Sequence, residues 1–175
     1  TIGPYENVND LWQAAEKSET RKNSIVAREL ITPLPNDWND SQREKFVREF
    51  AESLRKKYGV AVQVSLHRQN NNNKNEHAHI MFTTRLVNDA GEFLDKTRSL
   101  DIGRDTKDKE GNVTKGELSK LREHVCEMMN RHADEYGNDF YVHAGKFNEI
   151  AGMEDHVSLK HVPFVSKDKL HEESN

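Results

Sequence analysis

The sequence predicts an α+β domain in which helices pack on one face of a central antiparallel sheet. Two segments alternate apolar and polar residues, as half-buried strands do, and a short polar loop joins them. Helical segments with one apolar side precede and follow this pair. At 175 residues the chain is long enough for about one domain with a substantial core.

The first two elements are a helix and a strand. Residues 9–20 predict a helix with Asn9 as its N-cap and with Leu11 among its apolar contacts. Residues 25–32 are β-like, and the prolines of the next segment, 33–35, end the strand.

The second helix has the clearest signal in the sequence. Ser41 and Glu44 have the spacing of a capping box, and Gly59 is placed to end the helix. Aromatic and aliphatic residues recur every four positions between these ends: Phe46, Phe50, Leu54 and Tyr58. This spacing places them on one buried face.

The two alternating segments, 60–67 and 77–86, predict a β-hairpin around the loop 68–76. Each segment carries one main apolar row. Three histidines lie on the opposite side of the two strands: His67, His77 and His79. Because antiparallel pairing brings the end of one strand beside the start of the next, we expect these imidazoles to converge.

The last third of the chain predicts one more helix. Residues 100–115 form a polar, glycine-containing loop, and residues 117–136 form a helix that Gly137 ends. Residues 140–143 predict a final strand, with irregular structure beyond it.

Composition restricts the class of protein. The net charge of −4 and the isoelectric point near 6.1 argue mildly against a nucleic-acid binder, although a local basic face remains compatible with them. No apolar stretch approaches the roughly 20 residues of a membrane span, so no membrane insertion is expected. Cys126 is the single cysteine, which excludes an internal disulfide and fits a cytoplasmic protein.

Three imidazoles from paired strands would bind a divalent metal and leave coordination positions open for a substrate. A closed structural zinc site is less expected, because such sites use four ligands and are usually rich in cysteine. The remaining histidines are interpreted as surface or hydrogen-bonded residues: His124, His132, His143, His156, His161 and His171. The pattern indicates a metal site but does not identify the reaction.

The segment Asn75–Arg85, with the sequence NEHAHIMFTTR, resembles the histidine motif of the MobA/MobL relaxases. These enzymes are the nickases of plasmid mobilisation and conjugation, within the histidine–hydrophobe–histidine endonuclease superfamily. The resemblance extends in the family's order over residues 9–145 or so. It includes these further segments: Leu11-Trp12, Ala27-Arg28-Glu29, Lys96-Thr97-Arg98 and Asn130-Arg131-His132.

The resemblance implies a relaxase-like fold and site- and strand-specific cleavage and religation of single-stranded origin-of-transfer DNA. The reaction would be metal-assisted and would pass through a phosphotyrosine intermediate. By this match His67, His77 and His79 are the metal ligands. Manganese or magnesium is the expected ion, with zinc or nickel able to replace it in a crystal. The implied partners are the DNA and the accessory proteins of the relaxosome.

The candidate catalytic residue is Glu29, as the carboxylate partner of a ligating histidine or as a proton-handling group. Glu76 is the alternative. Basic residues that follow or face the metal strand are the candidate DNA contacts: Arg68, Arg85, Lys96 and Arg98. Arg85, on the histidine side of its predicted strand, is the best placed to bind a phosphate.

The nucleophile is where the chain departs from the family. The attacking tyrosine of the family lies near the start of the protein, and Tyr5 lacks the expected context. The other tyrosines are interpreted as packing residues: Tyr58, Tyr136 and Tyr141. We therefore expect a single domain over residues 1–165 that lacks its N-terminal tyrosine segment, followed by a polar tail or linker over residues 166–175.

Two other functions stay open at this point. A tri-histidine metal-dependent hydrolase would need a general base near the metal and no tyrosine. A non-catalytic DNA-binding fragment would use the histidines only to stabilise the hairpin. Metal affinity separates the two enzymes from a structural hairpin, and specific binding of single-stranded DNA separates the relaxase from the hydrolase.

Overall fold

The computed structural model describes residues 1–67, 76–101 and 103–145. The chain divides into two units, Thr1–Arg98 and a second that begins at Ser99. The predicted tail, 166–175, lies outside the described residues. The predicted division into one domain over residues 1–165 followed by this tail therefore stays a prediction.

A three-stranded antiparallel sheet forms the centre of the first unit. Its strands are β1 (Ala27–Pro33), β2 (Val62–His67) and β3 (His77–Thr83), and their order is β1-β3-β2. The predicted α+β class with an antiparallel sheet is thus confirmed. Both β1 and β2 begin two residues later than the alternation predicts.

Helix α1 spans Val8–Lys17. Its N-cap is Asn7, whose side chain accepts a hydrogen bond from the N–H of Asp10, so the predicted cap at Asn9 is wrong by two positions. Leu11 is fully buried in a small cluster with Ala61, at the start of the β2 segment.

Helix α2 spans Asp40–Tyr58, and its apolar face packs against β2. The capping box is formed by Asn39 and Gln42, not by the predicted pair that starts at Ser41. Asn39 has the extended backbone that an N-cap needs, whereas Ser41 already lies inside the helix. The predicted end at Gly59 is confirmed.

The predicted strand 77–86 is two strands in two sheets. After β3 ends at Thr83, β4 (Arg85–Val87) pairs with β5 (Phe93–Lys96). The break lies at Thr84, which is buried and whose hydroxyl and backbone N–H donate to the segment just before β1. Side-chain alternation along β3 therefore does not continue into β4.

The second unit contains a hairpin and a helix. Strands β6 (Thr106–Lys107) and β7 (Val113–Thr114) lie within the segment predicted as a polar loop, 100–115, which corrects that prediction. Helix α3 spans Glu117–Glu135, one residue shorter than the predicted 117–136.

The predicted strand 140–143 is wrong. The side-chain amide of Asn130 donates to the backbone carbonyl of Val142 and accepts from its N–H, at 2.9 and 2.8 Å. These bonds engage both backbone groups of Val142, and within 140–143 the structure has only a single β-bridge, at Tyr141. Among the described residues, no helix combines the length and the apolar character that a membrane span requires.

Candidate metal centre

Three histidines converge at one end of the β2–β3 pair. His67 is the last residue of β2, His77 is the first of β3, and the two are directly opposite in the antiparallel register. His79 lies two residues along β3 on the same side. One ring nitrogen of each residue lies within 4.8 Å of the other two, and the ring centroids are 4.4 to 5.1 Å apart.

The donor set fits a divalent metal with open coordination positions. Metal–nitrogen bonds are about 2.0–2.1 Å long, so ligand nitrogens around one ion lie roughly 3–4 Å apart. The three nitrogens lie within 4.8 Å of one another, so the rings would have to move closer together to bind one ion. His77 and His79 are half-buried while His67 is exposed, so the cluster is accessible to solvent.

A carboxylate from β1 binds one of these histidines. Oε1 of Glu29 lies 2.7 Å from Nδ1 of His79. Glu29 is directly opposite Met81, so its side chain reaches diagonally to the preceding same-side residue of β3. When Nδ1–H donates to the carboxylate, Nε2 keeps its lone pair for a metal.

The alternative carboxylate, that of Glu76, faces a different partner. Its Oε1 lies 4.0 Å from Nη1 of Arg43, on α2. Its backbone carbonyl accepts a hydrogen bond from Leu34, which fixes the start of β3 beside the end of β1. Glu76 thus helps to set the position of the next residue, His77, without placing its carboxylate on that ring.

The structure does not bring Arg85 and Lys96 together with the histidines. Both bind Glu19: Arg85 Nε lies 2.8 Å, and Lys96 Nζ 3.2 Å, from its Oε1. The side chain of Glu19 is only 7% exposed, and its hydrogen bonds with Arg85 lower its pKa to about 2. Of the other two predicted DNA contacts, Arg98 is exposed and Arg68 lies outside the described residues.

The two tyrosines of the first unit are engaged away from the histidines. The hydroxyl of Tyr5 donates to the backbone carbonyl of Gly91 at 2.6 Å, and its ring packs against the cluster that contains Ala61. Ala61 is six residues before His67 in an extended segment, hence roughly 20 Å from it. Tyr58 is buried at the end of α2.

The second unit offers no competing site of the same kind among its described residues. Its cavity of about 750 Å³ is lined by residues between Asp105 and Gly145 and includes Cys126. Burial raises the pKa of this thiol to about 11, so it is protonated at neutral pH and unreactive as a nucleophile. His132 is buried and hydrogen-bonded to the hydroxyl of Tyr136, as its structural interpretation predicts.

Comparisons with known proteins identify a family and a similar solved structure. The chain matches the model of the MobA/MobL family over residues 4–160, a range that includes all three histidines. A solved structure from work on the molecular basis of vancomycin resistance transfer in Staphylococcus aureus has 28% sequence identity and a TM-score of 0.64. The alignment covers 83% of this chain and 74% of that one. No curated protein matches the chain significantly.

Proposed function

This chain belongs to the MobA/MobL family of plasmid mobilisation relaxases, and we propose that it forms the metal-binding part of a DNA relaxase. The proposed reaction is site- and strand-specific cleavage and religation of single-stranded origin-of-transfer DNA through a phosphotyrosine intermediate. The convergence of His67, His77 and His79, with a carboxylate behind one of them, is the observation that carries the proposal.

In this proposal the three histidines hold a divalent ion and Glu29 orients His79. When bound, the ion polarises the scissile phosphate and stabilises the charge that develops in the transition state. Of the two expected ions, manganese has the better support, since magnesium keeps to oxygen ligands. Glu29 contributes by holding one ring nitrogen, so that the other faces the cluster.

The proposed nucleophile is a tyrosine outside residues 1–175. Neither tyrosine of the unit that carries the histidines suits the role, because the hydroxyl of Tyr5 is bonded elsewhere and Tyr58 is buried in the core. Its oxygen forms a bond to phosphorus while the bond from phosphorus to the 3′-oxygen breaks. The resulting 5′-phosphotyrosine conserves the energy of the phosphodiester, so rejoining the strand requires no ATP.

The proposed partners are single-stranded DNA and relaxosome accessory proteins, and the proposed compartment is the cytoplasm, where a single cysteine stays reduced. Arg68 and Arg98 remain proposed phosphate contacts. Arg85 and Lys96 place two positive charges against the one carboxylate of Glu19, which leaves a net positive charge there for a phosphate.

A manganese titration by calorimetry tests the metal centre. We expect one ion per protein molecule in the wild type, loss of binding in His79→Ala, and unchanged binding in His143→Ala, an exposed histidine of the second unit. Equal manganese affinity in the wild type and His79→Ala would refute the assignment of the ligands.

Strand-specific DNA binding separates the relaxase from the second candidate, a tri-histidine hydrolase. The hydrolase is favoured by the carboxylate of Glu29, a potential base beside the cluster. The probes are overlapping oligonucleotides that tile both strands of the DNA next to the protein's own gene. The relaxase predicts binding to one segment of one strand. Metal binding without any preference among these probes would favour the hydrolase.

A further inference from the structure

Strand β1 presents two exposed apolar side chains beside the histidines. We propose that Ile31 and Pro33 form an apolar ledge that binds the sugar and base of the nucleotide whose phosphate lies at the histidine cluster. This inference rests on the proposed function and identifies how that site would hold DNA by contacts other than charge.

The register places the ledge next to the cluster. Ile31 is directly opposite His79, and Pro33 is directly opposite His77. Residues directly opposite in an antiparallel pair project to the same face, with Cβ atoms about 4.5–5.5 Å apart. The bond between Glu29 and His79 supports this orientation, because Glu29 belongs to the same alternating row of β1.

Exposure alternates along β1 in agreement with this orientation. Ile31 is 60% exposed and Pro33 is exposed, while Thr32 between them is buried. The first unit contains other large apolar side chains that are exposed: Val8, Ile25 and Leu94. Among those described, Ile31 alone lies in the three-stranded sheet. Single exposed apolar residues are common on protein surfaces, so the exposure of Ile31 alone does not indicate a binding site. The evidence for one is the position of Ile31 beside the histidine cluster.

The two sides of the cluster differ in chemistry. On the β1 side His79 is flanked by Ile31, whereas on the β2 side it is flanked by Ser65. A nucleotide joins an anionic phosphate to a sugar and base that have apolar faces. With the phosphate at the histidines, the sugar and base therefore lie over β1, where burying Ile31 is favourable.

The test substitutes Ile31 and compares it with a matched isoleucine. Ile31→Thr keeps a β-branched side chain suited to a strand but removes most of the apolar contact. Ile25→Thr is the control, because Ile25 is similarly exposed, 68% against 60%, and lies six residues earlier, before β1 begins. Fluorescence anisotropy with the manganese-loaded protein and the preferred single-stranded oligonucleotide measures Kd over a range of salt concentrations.

We expect Ile31→Thr to raise the Kd about fivefold, which corresponds to losing part of one buried isoleucine. The slope of log K against log salt should not change, because no phosphate contact is lost. Manganese affinity should also be unchanged. Ile31→Phe, which offers a larger surface for a base, should lower the Kd.

The outcomes separate this inference from the proposed function. A wild-type protein that binds none of the oligonucleotides contradicts both. A wild type that binds one strand, with Ile31→Thr and Ile25→Thr equal to it, overturns the ledge and leaves the relaxase in place. Loss of manganese affinity in Ile31→Thr also overturns the ledge, because Ile31 would then support the ligands rather than contact DNA.

Discussion

At the scale of single residues, neighbours on both sides constrain the side chain of His79. It lies on the central strand, with Ile31 opposite on one side and Ser65 on the other. Glu29 bonds its Nδ1, and its ring lies 4.4 Å from that of His67. A histidine held in this way has a fixed ring orientation and keeps one nitrogen available for the metal. Less side-chain conformational entropy is therefore lost when the metal binds.

We predict that Glu29→Ala lowers manganese affinity by roughly 10–100-fold, the usual effect of removing a hydrogen-bond partner of a ligating histidine. Glu29→Gln should retain most of the affinity, because its amide oxygen still accepts from Nδ1–H. Calorimetric titration measures both variants, with Glu52→Ala, an exposed glutamate of α2, as the control. An unchanged manganese affinity in Glu29→Ala would contradict the assignment of this carboxylate as a positioning residue.

At the scale of elements, the turn from α2 into β2 depends on Gly59. Its φ of 66° lies in the left-handed region, and its N–H closes the helix on the carbonyl of Arg55. Its own carbonyl accepts from Val87 of β4, which ties the end of α2 to the second sheet. The residue thus joins three elements as well as ending one.

We predict that Gly59→Ala lowers the free energy of unfolding by more than Gly137→Ala does. Both glycines have a left-handed φ, so each substitution costs about 1 kcal/mol. A Cβ at Gly59 would also lie 3.0 Å from Leu86, whereas nothing lies within 4 Å at Gly137. Urea unfolding followed by circular dichroism measures the pair, and a greater loss in Gly137→Ala would contradict the explanation.

At the scale of the molecule, Glu19 connects segments that are distant in the sequence. Its carboxylate forms ion pairs with Arg85 of β4 and Lys96 of β5, and Lys96 also donates a hydrogen bond to the carbonyl of Ile25. The end of α1, the approach to β1 and the second sheet thus meet at one carboxylate. This connection holds within the first unit and is independent of the histidines.

We predict that Glu19→Gln destabilises the protein by roughly 2 kcal/mol at neutral pH, because two cations lose their partner. The pKa of Glu19 falls from 4.5 to about 2 on folding, so the folded state binds fewer protons between these values. Its stabilisation is therefore complete above the unfolded pKa and is lost as the pH falls towards 2.

The difference between wild type and Glu19→Gln should accordingly shrink between about pH 5 and pH 2. Urea unfolding across this interval measures it. Glu16→Gln, an exposed position of α1, should stay within about 0.5 kcal/mol of the wild type throughout. A difference that does not change with pH would exclude an ionised Glu19 as its cause.

The sequence by itself determined the local features of this protein. The alternation of two strands around a loop was enough to place three histidines on one side, and helix α2 and its final glycine follow from spacing alone. Both N-caps were misplaced by two positions because several neighbouring side chains are suitable caps.

Only the tertiary structure decided which distant residues meet. The break at Thr84, which removes Arg85 from the histidine face, depends on bonds to the segment before β1. Glu29 reaches His79 across 50 positions in the sequence, and Arg85 reaches Glu19 across 66. The same strand order sets Ile31 beside the site. Local propensity acts over a few residues, whereas these pairings depend on β1 lying next to β3, and that order follows from packing of the whole sheet.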